Sequence, residues 1–380
     1  MRKHIALSTI CVMIFSAAAG AAEWHEKIKV GGDFRYRSEM IKLEHKEDDS
    51  RDRIRARLRV TGEANESWSV GLGLATGSDD PVSTNTTLTG GYARKGIMLD
   101  LAFIDFHPKA VAGLSLIAGK MNLPFEVAEK TELMWDNDLT PEGLAVRYRR
   151  GACARAEIFL NGAVFDIRDT DPDDLGEAWM LGGQAGLDAK LPGGVDLTIG
   201  AGYFNYEGAI GRYGFYRPTE FYGNTTRLWR GTTEIGGYSY NYRGYAYDFN
   251  IVEAFGVADF GLREWADFAL YGTYVNNVRA DDQNVGWLAG GSASRGRDRG
   301  ALKLSANYRR VESDAVIGIF TDSDFIGGGT NGNGWELGFI CGAAKGVDLS
   351  ATWFLNVKNV TDERFETEYE RLQLDVQARF

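Results

Sequence analysis

Polar and apolar residues alternate along most of the chain with a period of two. The clearest case is the segment 53–60, where four apolar residues alternate with four arginines: Ile54, Ala56, Leu58 and Val60 against Arg53, Arg55, Arg57 and Arg59. Because successive side chains of a β-strand point to opposite faces, this segment predicts a strand between an apolar medium and water. Four arginines cannot be buried without partners, since arginine does not lose its charge by deprotonation in proteins. The apolar medium could be a soluble core or a bilayer.

The same alternation returns in about sixteen segments, each near the ~10 residues that a tilted strand needs to cross a bilayer. Short and long connections alternate between the segments. We expect the long ones at 39–51, 77–96, 125–142, 166–176, 207–243, 312–333 and 357–368. This pattern predicts an all-β fold, a transmembrane antiparallel β-barrel with short periplasmic turns and long external loops. The apolar half of each strand should face lipid, and the polar half should line the lumen.

Two acidic residues do not fit the alternation. Asp105 and Glu253 fall on the apolar side of their strands if the alternation continues along each strand without interruption. Either a β-bulge resets the phase and turns them inward, or they lie near the membrane interface.

The N-terminus predicts a secretory signal peptide over residues 1–21. The barrel is then expected over 22–380. Arg2 and Lys3 precede a short apolar stretch, and Ala19-Gly20-Ala21 fits a cleavage site. Together with the barrel pattern, this predicts Sec-type export to an outer membrane. The remaining cysteines, Cys153 and Cys341, are too few for a disulfide framework and are expected to be free. The net charge of −11 argues against nucleic acid as a partner.

The last strand ends on an aromatic residue. Phe380 follows apolar residues two, four, six and eight positions earlier, and this resembles the signal that barrel-insertion machinery reads. The alternative is an ordinary amphipathic strand that ends on an aromatic residue by chance.

Several stretches carry a family resemblance. They are 99–106 (LDLAFIDF), 118–125 (AGKMNLPF), 135–144 (WDNDLTPEGL), 286–290 (GWLAG), 307–310 (NYRR), 314–316 (DAV), 320–325 (FTDSDF) and 327–331 (GGGTN). The chain resembles the Putative porin family of Gram-negative outer-membrane barrels over most of its mature length. The resemblance implies a channel without naming its cargo. It also implies a homotrimer and a third external loop, Glu126 to Pro141, that folds into the lumen.

That loop suggests a constriction. It carries five carboxylates, Glu126, Glu129, Glu132, Asp136 and Asp138. We hypothesise an eyelet in which they face the arginine row of 53–59, with Arg147 and Arg149 contributing. Opposed charges across a pore orient polar solutes and sort ions. The alternative is that these arginines only pair with neighbouring carboxylates of the wall.

The function we predict is passive diffusion of small hydrophilic solutes or ions, with no cofactor, no metal and no catalysis. A barrel hydrolase is one alternative, but only His25, His45 and His107 follow the signal peptide, and no nucleophile motif accompanies them. A structural or adhesive barrel with a plugged lumen is another. The stretch 322–334 weakly resembles a calcium loop but lacks the spacing, and a glycine-rich external loop is the simpler interpretation.

Overall fold

Sixteen antiparallel strands close into a barrel in the computed structural model of the protein. The structure describes residues 27–167, 178–232, 239–262, 266–296 and 298–380. The predicted signal peptide at 1–21 lies outside these residues. The first barrel strand pairs with both the second and the last, with Phe34 opposite Ala56 and Ala378, so the sheet has no free edge. The predicted fold class is therefore confirmed.

Each barrel strand pairs with its neighbours in chain order. Three further strands lie in connections: β4 (Thr86–Thr87) and the hairpin β11 (Thr226–Thr232) and β12 (Ser239–Tyr245). The barrel strands are β1 (Ile28–Leu43), β2 (Asp49–Asn65), β3 (Trp68–Thr76), β5 (Ile97–Phe106), β6 (Leu114–Lys120), β7 (Glu142–Cys153), β8 (Ala156–Ile167), β9 (Ala178–Leu191), β10 (Val195–Glu207), β13 (Phe249–Leu262), β14 (Ala266–Asn277), β15 (Val285–Arg295), β16 (Leu302–Val311), β17 (Gly332–Ala344), β18 (Val347–Lys358) and β19 (Thr367–Arg379).

The connections on the external rim are named L1 to L8 here. They are L1 (44–48), L2 (77–96), L3 (121–141), L5 (208–248, of which 233–238 are not described), L6 (278–284), L7 (312–331) and L8 (359–366). The name L4 is kept for residues 168–177, which lie outside the described residues, as does nearly all of the predicted connection at 166–176. The prediction of a long first loop at 39–51 was wrong. β1 and β2 continue upwards as a paired ribbon to Ile41 and Asp49, because Arg51 donates to Glu39 at 2.8 Å and extends the ladder.

The outer surface carries exposed apolar side chains at alternate positions, such as Leu58, Leu72, Leu144 and Leu304. Three tryptophans are exposed near strand ends, where aromatic side chains suit a membrane interface; they are Trp68, Trp179 and Trp335. The two cysteines are free, as expected. Among the described residues, no helix is long and apolar enough to span a bilayer.

One side of the lumen is apolar, which contradicts the expectation that every apolar half-strand faces lipid. On β13, Phe249, Ile251, Phe255 and Val257 are buried inside the barrel, while Val252 is exposed on the outside. Glu253 shares their inner face and is 2% exposed. Neither explanation offered for Glu253 was right: the strand has a continuous register without a bulge, and its apolar side is simply the inner one.

For Asp105, the explanation by a β-bulge is correct. The register between β3 and β5 shifts by one residue where Gly73 and Leu74 face Leu101 and Leu99. The bulge changes the phase, so that Ile104 is exposed and Asp105 bonds to the Ser115 hydroxyl. A β-bulge thus moves this carboxylate inward.

Inward glycines let aromatic rings lie flat on the apolar wall. A Cβ on Gly186 would lie 2.0 Å from the Phe159 ring, and one on Gly182 would lie 2.7 Å from Phe204 and 2.9 Å from Phe125. Phe125 belongs to L3, and its ring contacts Phe204 edge-on at 4.8 Å. The glycines therefore create the surface on which L3 packs.

Candidate functional site

The arginine row of β2 faces the lumen, and two of its members contact L3. Arg55 and Arg57 share Asp33 of β1, with donor–acceptor distances of 2.9 and 2.7 Å. Asp138 of L3 lies 3.3 Å from Arg57 and 3.9 Å from Arg55. L3 is thus docked directly against the row. The charges are in contact and do not face each other across open water.

The two arginines at the ends of the row, Arg53 and Arg59, bind other partners. Arg53 donates to the Ser83 hydroxyl of L2 at 3.2 Å and lies 3.6 Å from Glu39. Arg59, the most exposed of the four, lies 3.8 Å from Asp100. Wall carboxylates and L3 therefore both pair with the row.

Arg147 and Arg149 lie at a different place on the wall, on β7. Glu126 at the start of L3 accepts from Arg149 at 2.8 Å and from Arg147 at 3.2 Å. Arg149 also pairs with Asp188 of β9. Both arginines thus hold the beginning of L3 and do not join the arginine row.

The remaining L3 carboxylates point away from that row. Glu129 pairs with Lys303 of β16 at 3.0 Å, five strands from β2 around the barrel. Glu132 and Asp136 lie against L7, where Asp136 accepts from the Ser323 backbone N–H at 3.1 Å. The five acids predicted as one ring are therefore distributed over four contacts.

Gln184 of β9 fixes L3 to the apolar wall. Its side-chain oxygen accepts from the Glu126 backbone N–H at 2.8 Å, and its amide donates to the Glu126 carbonyl at 2.9 Å. The same amide donates to Glu253 at 3.1 Å, and Asn161 donates to the Gln184 oxygen at 3.2 Å. This buried polar cluster satisfies its members and specifies where L3 lies. Sequence reasoning missed it, although the inward positions of Asn161 and Gln184 follow from the alternation.

L7 also folds into the lumen, which the sequence analysis did not anticipate. Asp324 bonds to Arg371 of β19 at 2.8 Å and to Arg37 of β1 at 3.1 Å. Asp322 bonds to Arg309 at 2.7 Å. The sequence did carry a signal for this placement. Residues 315–319 and 325–326 are mostly apolar, which is unfavourable in a loop surrounded by water, and their apolar side chains are buried here.

L3 and L7 are joined to each other in the lumen. The Asp136 N–H donates to the Phe320 carbonyl at 2.8 Å, and the Asp322 N–H donates to the Glu132 carbonyl at 3.2 Å. Burial, together with Asp136 and Asp322, raises the pKa of Glu132 well above its usual range. Burial, with Asp138 and Asp322, does the same to the pKa of Asp136. The junction therefore favours protonated carboxyls.

Next to this junction lies a cavity of about 580 Å³, named the L2–L3 cavity here. L2, L3, L5 and L7 contribute to it, together with the wall from β3 to β10. Its ionisable lining comprises six carboxylates and one amine, from Asp79, Asp80, Asp100, Asp138, Glu142, Asp166 and Lys120. Its aromatic lining comprises Trp135, Phe165, Tyr206, Phe215, Tyr216 and Phe320.

Metal and hydrolytic chemistry find little support in the described residues. They contain no group of three or more His, Cys, Asp or Glu side chains arranged to hold a metal ion. The carboxylates of the weak calcium-like stretch pair with arginines instead, as described for Asp322 and Asp324. Ser115 donates to Asp105, and His107 lies 4.0 Å from the same carboxylate. The carboxylate thus sits between Ser and His, which is not the order that activates a serine nucleophile. His45 lies exposed beside Glu44 in L1.

Solved structures with similar folds are outer-membrane barrels. OprB of Pseudomonas putida aligns with a TM-score of 0.59 at 9% identity, covering 96% of this chain and 97% of that one. The trimer form of OmpT, an outer-membrane protein of Vibrio cholerae, aligns with a TM-score of 0.50 at 12% identity, covering 93% and 99%. A mutant of the Rh. blastica porin aligns with a TM-score of 0.50 at 12% identity, covering 93% and 100%.

A search of curated proteins found no match. The family model described as Putative porin matches residues 40–380, which is nearly the whole barrel. The chain therefore belongs to the Putative porin family, and its closed barrel is an outer-membrane porin channel.

Proposed function

We propose that the channel passes small hydrophilic solutes and ions by passive diffusion, without catalysis, metal or cofactor. The observation that carries this proposal is the contrast between the two faces of the barrel. The outer face is apolar, whereas the lumen holds the arginine row and its acidic partners. Charged residues are costly in contact with lipid but are solvated in an aqueous passage.

Within this channel, the eleven predicted site residues would act as a constriction. L3 and the arginine row meet at Asp138, and Arg147 and Arg149 fix the other end of L3 through Glu126. Charge at such a narrowing sorts ions, because a low-dielectric wall strengthens the field in the passage.

The constriction is tested by the variant Arg55→Gln/Arg57→Gln in planar bilayers. Removing both charges leaves Asp33 and Asp138 uncompensated, so the reversal potential in a KCl gradient should shift toward that of a cation-selective pore. The matched control is Arg94→Gln/Arg364→Gln, which removes two exposed arginines outside the lumen. If the first variant keeps the wild-type conductance and reversal potential, these arginines have no role in selectivity.

The alternative functions are separable by direct assay. A structural or adhesive barrel with a plugged lumen gives no unitary currents in a bilayer. A barrel hydrolase would release product from phospholipid or peptide substrates, and substitution of His45 or His107 would abolish the activity.

Export, membrane insertion and assembly complete the proposal. The residues 1–21 would direct Sec-type export, and Phe380, which is 74% exposed, would be available to the barrel-insertion machinery. The similarity to the trimer form of OmpT supports a homotrimer. Deleting Phe380 should lower the amount of folded protein in the outer membrane. Cross-linking in native membranes should give a three-chain species.

A further inference from the structure

The charges around the L2–L3 cavity are unevenly compensated. Asp138 pairs with Arg57 and accepts from Thr84, and Glu142 pairs with Lys120 at 3.3 Å. Arg57 is bound to Asp33 and Asp138, and Arg217, which lies over the Tyr216 ring at 5.4 Å, pairs with Glu220 of L5 at 3.1 Å, so both of these arginines are already paired. The acids that line the cavity come from L2, L3, β5, β7 and β8, and they outnumber its single amine. A solute inside it meets a negative potential.

Two adjacent acids of L2 stand at this cavity. Asp79 accepts from the Tyr216 hydroxyl of L5 at 3.0 Å, so it lies next to the aromatic lining of the cavity. Asp80 caps the Val82 N–H at 3.2 Å. These carboxylates therefore lie close to aromatic rings that also line the cavity.

The aromatic side contributes an unused hydrogen-bond donor. Trp135 is 6% exposed, and its indole N–H has no hydrogen-bond partner among the described residues. Its ring contacts Phe204 edge-on at 5.6 Å and Tyr206 at 6.1 Å, and the Tyr206 hydroxyl does not bond to the indole N–H. A buried donor without a partner is costly, and an acceptor that enters the cavity would satisfy it.

These three features match one kind of solute. Carboxylates attract a cation, aromatic faces stabilise an alkylated ammonium, and an indole N–H needs an acceptor oxygen. We propose that the L2–L3 cavity binds small organic cations that carry a hydroxyl group, and that these are preferred solutes of the channel. This inference rests on the proposed channel function.

Choline and 3,3-dimethylbutan-1-ol provide the test, since the alcohol has the same shape and hydroxyl but no charge. Each is added to the wild-type channel in a planar bilayer while the potassium current is recorded. Choline should reduce the current in a saturable manner, and the neutral alcohol at the same concentration should not. Equal effects of the two compounds, or no effect of either, overturn the proposal.

Variants then locate the effect. Asp79→Asn/Asp80→Asn should weaken choline block about tenfold. The same change in L6, Asp281→Asn/Asp282→Asn, should leave it unchanged, because these two exposed aspartates lie outside the cavity. Equal weakening in both variants would mean that bulk surface charge is responsible, and the cavity proposal fails.

Trp135→Phe separates the hydroxyl contact from the charge. It should weaken block by choline while leaving block by tetramethylammonium, which has no acceptor, unchanged. Equal loss for both cations contradicts the role of the indole N–H. A protein that forms no unitary currents contradicts the channel function as well, whereas normal currents without choline preference contradict this inference alone.

Discussion

Individual buried charges hold this barrel's interior together. Arg371 is 2% exposed and bonds to Glu39 and Asp324, each at 2.8 Å. Burial alone would raise the pKa of Asp324, but the guanidinium groups of Arg371 and Arg37 lower it below its usual range. Such an ion pair is stabilising only while every member has a partner, because an isolated buried charge is strongly unfavourable.

We therefore expect Arg371→Met to destabilise the barrel by about 3–5 kcal/mol, since it leaves Glu39 and Asp324 buried without this partner. Arg379→Met on the same strand is the control. Arg379 is 54% exposed and pairs with Asp348, and exposed pairs contribute about 0–1 kcal/mol. Urea unfolding in detergent micelles measures both. Equal midpoints for the two variants would contradict this account of L7.

At the scale of elements, L3 and L7 are held by the wall they pack against. Gly182 and Gly183 are neighbours on β9 but face opposite sides. A Cβ on Gly182 meets Phe204 and Phe125, whereas one on Gly183 meets nothing within 4 Å. The shape of one strand therefore decides where L3 can lie.

Gly182→Val should cost about 1–3 kcal/mol and loosen L3, because the added side chain displaces Phe125 and Phe204. Gly183→Val places the same side chain on the outer face and should change little. Cleavage of L3 by a glutamate-specific protease in the folded barrel reports the loosening. If both variants resist cleavage as the wild type does, Phe125 does not depend on Gly182.

The junction of L3 and L7 should respond to pH. The pKa values of Glu132 and Asp136 are raised by burial and by neighbouring carboxylates, so the joined loops bind protons that the separated loops would release. Raising the pH above about 4, the ordinary pKa of carboxyl groups, therefore weakens the junction until the raised values are passed.

We expect open-channel current noise to increase as the pH rises through this range, and Glu132→Gln to reduce the increase. Glu363→Gln, in exposed L8, is the control. The same pH response in wild type and Glu132→Gln would show that Glu132 does not titrate at the junction.

The sequence predicted the strands well because alternation is a local signal. Strand number, closure and the inward arginine row all follow from the period of two and from the connections. The interior could not be predicted in the same way. Phe249 and Phe255 look lipid-facing until their ring contacts with Tyr245 and Phe159 are known. The contact of Asp324 with Arg37 joins residues 287 positions apart. Such contacts depend on the loops of the finished barrel.

At the scale of the whole molecule, closure and filling of the barrel have separate causes. Pairing of β1 with β19 removes the sheet edge, and the Phe380 N–H donates to the Gly32 carbonyl at 3.1 Å at the seam. The lumen is then narrowed by L3 and L7, while the L2–L3 cavity stays open beside them. The proposed constriction rests on this placement of L3 and L7 inside the closed barrel.

The unitary conductance of the purified barrel in planar bilayers tests most directly whether the barrel encloses a water-filled passage. We predict stepwise, long-lived current increments in KCl, with Arg55→Gln/Arg57→Gln shifting the reversal potential toward cations. Folded protein that inserts into the bilayer without discrete current steps would contradict a water-filled passage through the barrel.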